Sequence, residues 1–318
     1  MKKWLSEELI CPECLNRHAD EEIRLTLEIR QETDDDILEG LLTCPLCGRG
    51  YDINDGIAVV VPEKSLPIIR NITGYGSFSM SSSYLWSHYS EFLNDPDQTD
   101  AYKRWAEALN PGKGWALDIG CAVGRLTLEM TKSHERAVGI DTSLSFIRSA
   151  RKLMHQRGLE FDLILEGEIT ERRSGRLDPG FRFENADFIV ADAMALPFRT
   201  DRFATASSVN ILEKVPDPSL HLSEANRVMD KTNACFLFSD PFSWDETVSH
   251  PDLWLGGRNK GPFKGFGIDN ISRMLREGDG IFSPPFTIQE RGAIQWKIRK
   301  TRNLREHITS QFLIAQRG

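Results

Sequence analysis

Residues 115–141, WALDIGCAVGRLTLEMTKSHERAVGID, constrain the fold of this 318-residue chain more than any other stretch. An apolar run over Trp115–Ile119 meets Gly120, Cys121, Ala122, Val123 and Gly124, then passes into the helical pattern Arg125–Lys132. A second short strand, Ala137–Ile140, ends at Asp141. Strand, glycine turn, helix, strand and terminal acid form half of a nucleotide-binding α/β unit. The glycines let backbone approach a ligand with no Cβ in the way, and the terminal acid can accept hydrogen bonds from a ribose diol.

The same logic continues downstream. Asp187–Phe198, DFIVADAMALPF, reads as an apolar strand ending in Asp192, then Ala193 and a Leu-Pro-Phe turn. Phe203–Val209 reads as a fourth strand leading to Asn210, Leu220–Met229 as a helix, and Asn233–Phe238 as a fifth strand leading to Ser239 and Asp240. Asp118, Asp141 and Asp192 then fall at successive strand ends, on the side where open α/β sheets bind ligands. A dinucleotide fold would show G-x-G-x-x-G; here the pattern is Asp118-x-Gly120-x-x-x-Gly124. It resembles motif I of class I S-adenosylmethionine (SAM)-dependent methyltransferases, with Ala122 where a third glycine is common, a departure expected to cost little. SAM has no phosphate, so it needs less of a helix-terminus anion site and more carboxylates. The resemblance implies a Rossmann-like, seven-stranded α/β domain over residues 111–318. It also implies cofactor contacts from Asp118, Gly120, Cys121, Gly124, Asp141, Thr142, Asp192, Ala193 and Asn210.

Four of the six cysteines give the second signal. Cys11-Pro-Glu-Cys14 and Cys44-Pro-Leu-Cys47 are paired C-x-x-C knuckles flanking a predicted β-hairpin, a set of four thiolates suited to tetrahedral zinc. Residues 1–63 are read as a zinc ribbon with a structural Zn2+. Its tail, Gly50–Pro62, resembles the small zinc-ribbon activators of tRNA and protein methyltransferases. Cys121 and Cys235 are expected to be unliganded.

This segment holds six Lys and Arg against fifteen Asp and Glu, whereas the remainder holds 33 against 32, for a net charge of −8. A nucleic-acid-reading ribbon should be basic, so no nucleic-acid partner is expected. The acidic run Thr33–Glu39 is expected to be a solvated turn. With no signal peptide, no apolar membrane span and no disulfide framework, a soluble cytoplasmic protein is expected. Residues 64–110 read as a linker and helical segment whose aromatics, Tyr84 among them, form either a lid over substrate or ordinary helix core. His88 is either a packing residue or a base.

Three further stretches bear on the methyl acceptor. Phe161–Glu184 is predicted to be a β-hairpin or arm, Ser239–Gly257 a long aromatic loop, and Phe286–Arg317 the sheet's final strands. The phrases ALDIGCAVGR (116–125), GIDTSLSFIRSA (139–150), LEGEI (165–169), DPFSW (240–244), WLGG (254–257) and the arginine-rich close near Lys297–Arg305 resemble the methyltransferase that completes ovothiol synthesis. That enzyme methylates an imidazole nitrogen of 4-mercaptohistidine, commonly following an iron-dependent sulfoxide synthase domain that is replaced here by the cysteine-rich segment. The resemblance implies a small-molecule acceptor, supplied by a separate sulfoxide synthase, and is compatible with a homodimer. Asn210 and Asp240 are the expected catalytic residues, one hydrogen-bonding the ring and the other accepting its N–H or meeting the α-ammonium. Trp244 and Trp254 either stack on the ring or pack in the core. Arg299 and Arg302 either hold the carboxylate or are surface charges. The competing readings are an rRNA base methyltransferase with a zinc module and a non-catalytic SAM-binding scaffold.

Overall fold

The computed structural model describes residues 1–17, 22–69, 74–109, 112–278 and 280–318. The boundary expected between residues 110 and 111 lies outside them.

Thirteen strands form among these residues. In chain order they are β1 (Thr26–Glu32), β2 (Ile37–Thr43), β3 (Gly50–Asn54), β4 (Ile57–Val60), β5 (Trp115–Ile119), β6 (Arg136–Asp141), β7 (Leu159–Glu166), β8 (Ile169–Gly175), β9 (Ala186–Ala191), β10 (Thr205–Val209), β11 (Cys235–Asp240), β12 (Thr287–Arg299) and β13 (Arg305–Gln316). Eleven make one sheet in the order β1-β2-β3-β4-β9-β6-β5-β10-β11-β13-β12; β7 and β8 pair separately as the expected hairpin. From β9 to β12 the strands are parallel except β13, which runs antiparallel between β11 and β12. This is a Rossmann-like mixed sheet, α/β as expected. Its central strands are covered on both faces: all six residues of β9 and all six of β11 are buried.

Local chemistry starts the helices where the sequence suggests. Ser143 Oγ accepts from the Phe146 amide to cap Leu144–Gln156, and Asp217 accepts from the Leu220 amide to cap Pro218–Val228, with Pro218 in the first turn. Gly124, at φ +84°, opens Arg125–Met130, where an added Cβ would lie 2.6 Å from Phe188 Cε1. Its glycine is a packing requirement.

The N-terminal segment belongs to the same sheet. The antiparallel meander β1–β4 joins it through β4, which pairs parallel with β9 at Val59↔Val190 and Val60↔Ala191. Its side chains share one core cluster with the central parallel strands, Leu42, Tyr51 and Ile53 packing with Leu117, Ile140 and Ile189.

The run Thr33–Glu39 departs from its expected solvated turn. Asp36 is 4% exposed, 2.8 Å from both Lys2 Nζ and Arg151 Nη2. Burial works to raise its pKa, but the Lys2 hydrogen bond and the Arg151 guanidinium outweigh it and hold the carboxyl at about 2. Arg151 also pairs with fully buried Asp187. Among the described residues, no helix is long and apolar enough to cross a membrane.

Candidate active site

The cleft forms where β5, β6, β9 and β10 end. The Gly120 and Cys121 amides both donate to Ile140 O, at 2.9 and 2.8 Å, folding the turn onto β6. Gly120 has φ +75°, and a Cβ there would strike Ile211 Cδ1 at 2.7 Å. Ala122 also has positive φ, +47°. The missing third glycine therefore carries a cost of roughly 1–2 kcal/mol for a left-handed L-residue, more than its small side chain suggests. The Ala122 amide donates to Asp141 Oδ2 at 3.0 Å, which offsets part of that strain.

The floor of the cleft is Gly120, Ala122, Asp141 and Thr142; Asp192, Ala193 and Met194 form one side, and Asn210 and Ile211 the other. Tyr75, Tyr84, Tyr102 and Phe146 supply aromatic cover. Asp141 accepts from the Ser143 amide at 2.8 Å, and burial raises its pKa to about 6. Asp192 accepts from Ser65 Oγ at 2.5 Å and from the Met194 amide at 2.8 Å. Asn210, at φ +59°, accepts from Ser310 Oγ at 2.6 Å through Oδ1, while its buried Nδ2 has no partner.

A second chamber adjoins the first and shares Tyr75, Tyr84, Asn210, Lys214 and Trp296 with it. Counting their open mouths, the two hold about 950 and 1160 Å³ of free space, the scale of small-molecule sites. The second is walled by Trp296, Ile298 and Ile308 and carries Glu213, Lys214, Lys300 and His307. Lys300 has only a 3.5 Å contact to Met80 Sδ and a 3.8 Å approach to Glu306.

Six of the nine expected cofactor residues line the first cleft: Gly120, Asp141, Thr142, Asp192, Ala193 and Asn210. Asp118, Cys121 and Gly124 do not. Asp118 is 2% exposed and spends both oxygens on Thr127 Oγ1 (2.8 Å) and Ser207 Oγ (2.7 Å), bracing the turn from beneath. Burial raises its pKa to about 6. Cys121 is buried in the core.

Of the residues expected around the acceptor, Tyr84 and Asn210 line both chambers, whereas His88, Trp244, Trp254, Asp240, Arg299 and Arg302 line neither. His88 is buried and stacked on Tyr102 at 3.7 Å, with neither ring nitrogen partnered; burial, then the Arg125 charge, drive its pKa well down. Trp244 and Trp254 stack on each other at 5.8 Å, forming a core for the loop after β11. Arg299 is paired with buried Asp95 at 3.2 Å, and Arg302 is exposed. Asp240 is fully buried outside the lining, and its pKa is pushed up to about 8, first by burial and then by the Glu213 charge. The helix Phe78–Tyr89 realises both readings of its aromatics: Tyr84 faces the cleft, while Trp86 and Tyr89 are core. Sequence reasoning missed Glu213, Lys214, Trp296 and Lys300, which carry no local motif.

At the other end of the sheet, the Sγ atoms of Cys11, Cys14, Cys44 and Cys47 all lie within 4.8 Å of one another. Cys14–Cys44 and Cys11–Cys47 are 3.6 and 3.8 Å apart. Thiolates on tetrahedral zinc at about 2.3 Å stand about 3.8 Å apart. The Cys14 and Cys47 amides point at Cys11 and Cys44 sulfurs, at 3.4 and 3.5 Å, so each knuckle is arranged to support thiolate charge. The four cysteines fit a zinc ion.

Residues 117–237 match the family model described as "Methyltransferase domain". A curated relative, the ubiquinone/menaquinone biosynthesis C-methyltransferase UbiE of Desulfotalea psychrophila, is 23% identical over 188 residues, which cover 57% of this chain and 62% of the relative. The match thus spans less than two thirds of that relative's length. Among solved structures, a SAM-dependent methyltransferase from Methanosarcina mazei aligns at 20% identity and TM-score 0.42, over 66% of this chain and 95% of its own. A SAM-dependent methyltransferase from Aquifex aeolicus aligns at 13% identity and TM-score 0.41, over 74% and 97%. The domain built on β5 to β11 is a class I SAM-dependent methyltransferase domain.

Proposed function

We propose that the protein moves the methyl group of SAM onto a ring nitrogen of a small imidazole amino acid, 4-mercaptohistidine being the specific candidate. The observation that carries this reading is the paired chambers meeting at Asn210, Tyr84 and Trp296. A group held in one is presented to a group held in the other, and such alignment is the main contribution a protein makes to a transfer from an activated donor.

SAM fits the first cleft. Asp141 is placed for the ribose diol, Asp192 and the backbone after it for the adenine amino group, and the unpartnered Asn210 Nδ2 for an acceptor atom of the ligand. Gly120 keeps the floor open. When bound, SAM supplies an electrophilic methyl carbon on a positively charged sulfur. In the second chamber Trp296 and Tyr84 offer faces for a flat ring. Lys300, whose contacts are weak, takes the carboxylate that Arg299 and Arg302 are not placed to take. The four-cysteine site holds a structural zinc.

The test is calorimetry with S-adenosylhomocysteine followed by 4-mercaptohistidine in the same cell, then turnover with SAM. Sequential binding and methylated product are expected. Cofactor binding with no acceptor binding or turnover would discard the named acceptor, and no cofactor binding would overturn the assignment of the first cleft.

A further inference from the structure

Glu213 stands on the turn Leu212–Lys214 that follows β10, is 3% exposed and lines the second chamber. Its Oε1 accepts from Ser243 Oγ at 2.8 Å and meets Lys214 Nζ at 2.9 Å, while its buried Oε2 has no partner among the described residues. Asp240, at the end of β11, repeats the pattern: Oδ1 accepts from the Phe242 amide at 2.8 Å, and buried Oδ2 has none. The segment that carries Phe242 and Ser243 thus ties both carboxyls together. The charged and titratable groups facing the pair are Lys214, with Tyr75 beyond it, and across the chamber Lys300, Glu306 and His307. Lys214 is bonded to Glu213 and only acts on Asp240 through space, so two buried carboxylates would leave a charge uncompensated in a low-dielectric site. A proton on Asp240 removes it.

We propose that Glu213 takes the proton that the acceptor nitrogen loses in methyl transfer, with Asp240 beside it held protonated so that Glu213 alone carries the resting negative charge opposite Lys214. This rests on reading the second chamber as the acceptor site. As the nitrogen lone pair bonds to the methyl carbon, the carbon–sulfur bond breaks with its electrons going to sulfur. The nitrogen's proton passes to Glu213, leaving the methylated nitrogen neutral. A chamber-lining carboxylate with a free oxygen suits this role. The pair explains why two carboxyls are buried against one lysine.

Two measurements test the pair. The first is an infrared pH titration of the ligand-free protein, wild type against Asp240→Asn and Glu213→Gln. A buried protonated carboxyl band at neutral pH is expected. It should be lost in Asp240→Asn and should titrate at lower pH in Glu213→Gln. No such band, or a titration unchanged in Glu213→Gln, would overturn the pair. The second is the pH–rate profile with 4-mercaptohistidine, where Glu213→Gln should lower kcat about a hundredfold and flatten the profile while leaving S-adenosylhomocysteine affinity intact. An unchanged kcat would overturn the catalytic role. If 4-mercaptohistidine does not react with wild type, the acceptor assignment fails, and the ligand-free titration still decides the pair.

Discussion

Arg151→Met should destabilise the protein by about 3 kcal/mol, the low end of the cost of breaking a buried ion pair. Arg151 is 3% exposed on the helix Leu144–Gln156 and bonds both Asp36, from the N-terminal meander, and Asp187, from β9. Once it is gone, Asp36 keeps Lys2 Nζ at 2.8 Å. Asp187 keeps two bonded neutral donors, the Lys2 amide at 2.6 Å and the Phe188 amide at 2.8 Å. The penalty thus falls mainly on one stranded carboxylate, which is why the low end applies. Methionine preserves most of the side-chain stem, so loss of packing adds little. Adding Asp187→Asn removes the stranded charge and should recover at least half of the loss, a coupling that a double-mutant cycle reads directly. The assay is equilibrium urea unfolding followed by tryptophan fluorescence, with Trp4 of the N-terminal segment 5.0 Å from Trp115 of β5 as a reporter of the junction. A single transition shifted as a whole is expected. A loss below about 1 kcal/mol, or a double variant as unstable as the sum of the singles, would refute the argument that a buried charge cluster welds the two parts.

Three other outcomes follow from the site and the core. S-adenosylhomocysteine should bind about tenfold more weakly at pH 5 than at pH 7, because below about 6 a proton on Asp141 must be displaced; in Asp141→Asn the affinity should be lower and nearly independent of pH, as calorimetry would show. Gly139→Ala places a Cβ 2.6 Å from Phe188 Cδ1 and Thr127 Oγ1, so it should cost about 2 kcal/mol in urea unfolding without abolishing cofactor binding. Metal analysis should find about one zinc per chain. Its chelation, or Cys44→Ser, should lower thermal stability while leaving the cofactor cleft competent at low temperature.

The cofactor cleft was legible because its parts are local. Strand, turn and terminal acid occupy one stretch of sequence, so Gly120, Asp141 and Thr142 could be placed without knowing the sheet. Asp118 and Gly124 carry the same motif but serve the turn and the packing under it, a distinction that needs Ser207 and Phe188 in view. The second chamber was not legible. It joins the turn after β10 to the β12–β13 hairpin, and no spacing announces that Lys214 and Trp296 will share a cavity. Trp244 and Trp254 take the packing alternative, because a long loop needs aromatic packing of its own. Arg299 misled because its partner, Asp95, lies 204 positions away. The strand pairing that joins the N-terminal segment to the main sheet, two residue pairs between β4 and β9, is equally silent in the sequence.

That union moves the rim of the sheet. Without β1–β4, the unpaired backbone of β9, six buried residues reading ADFIVA, would form an apolar edge ready to template another strand. With them, the last strand on this side is β1, TLEIRQE, mostly exposed and carrying Glu28, Arg30 and Glu32. A charged border of this kind discourages strand addition from neighbouring molecules. The acidic segment therefore works as a bumper, protecting the molecule from sheet-to-sheet aggregation by placing charge where the ladder ends.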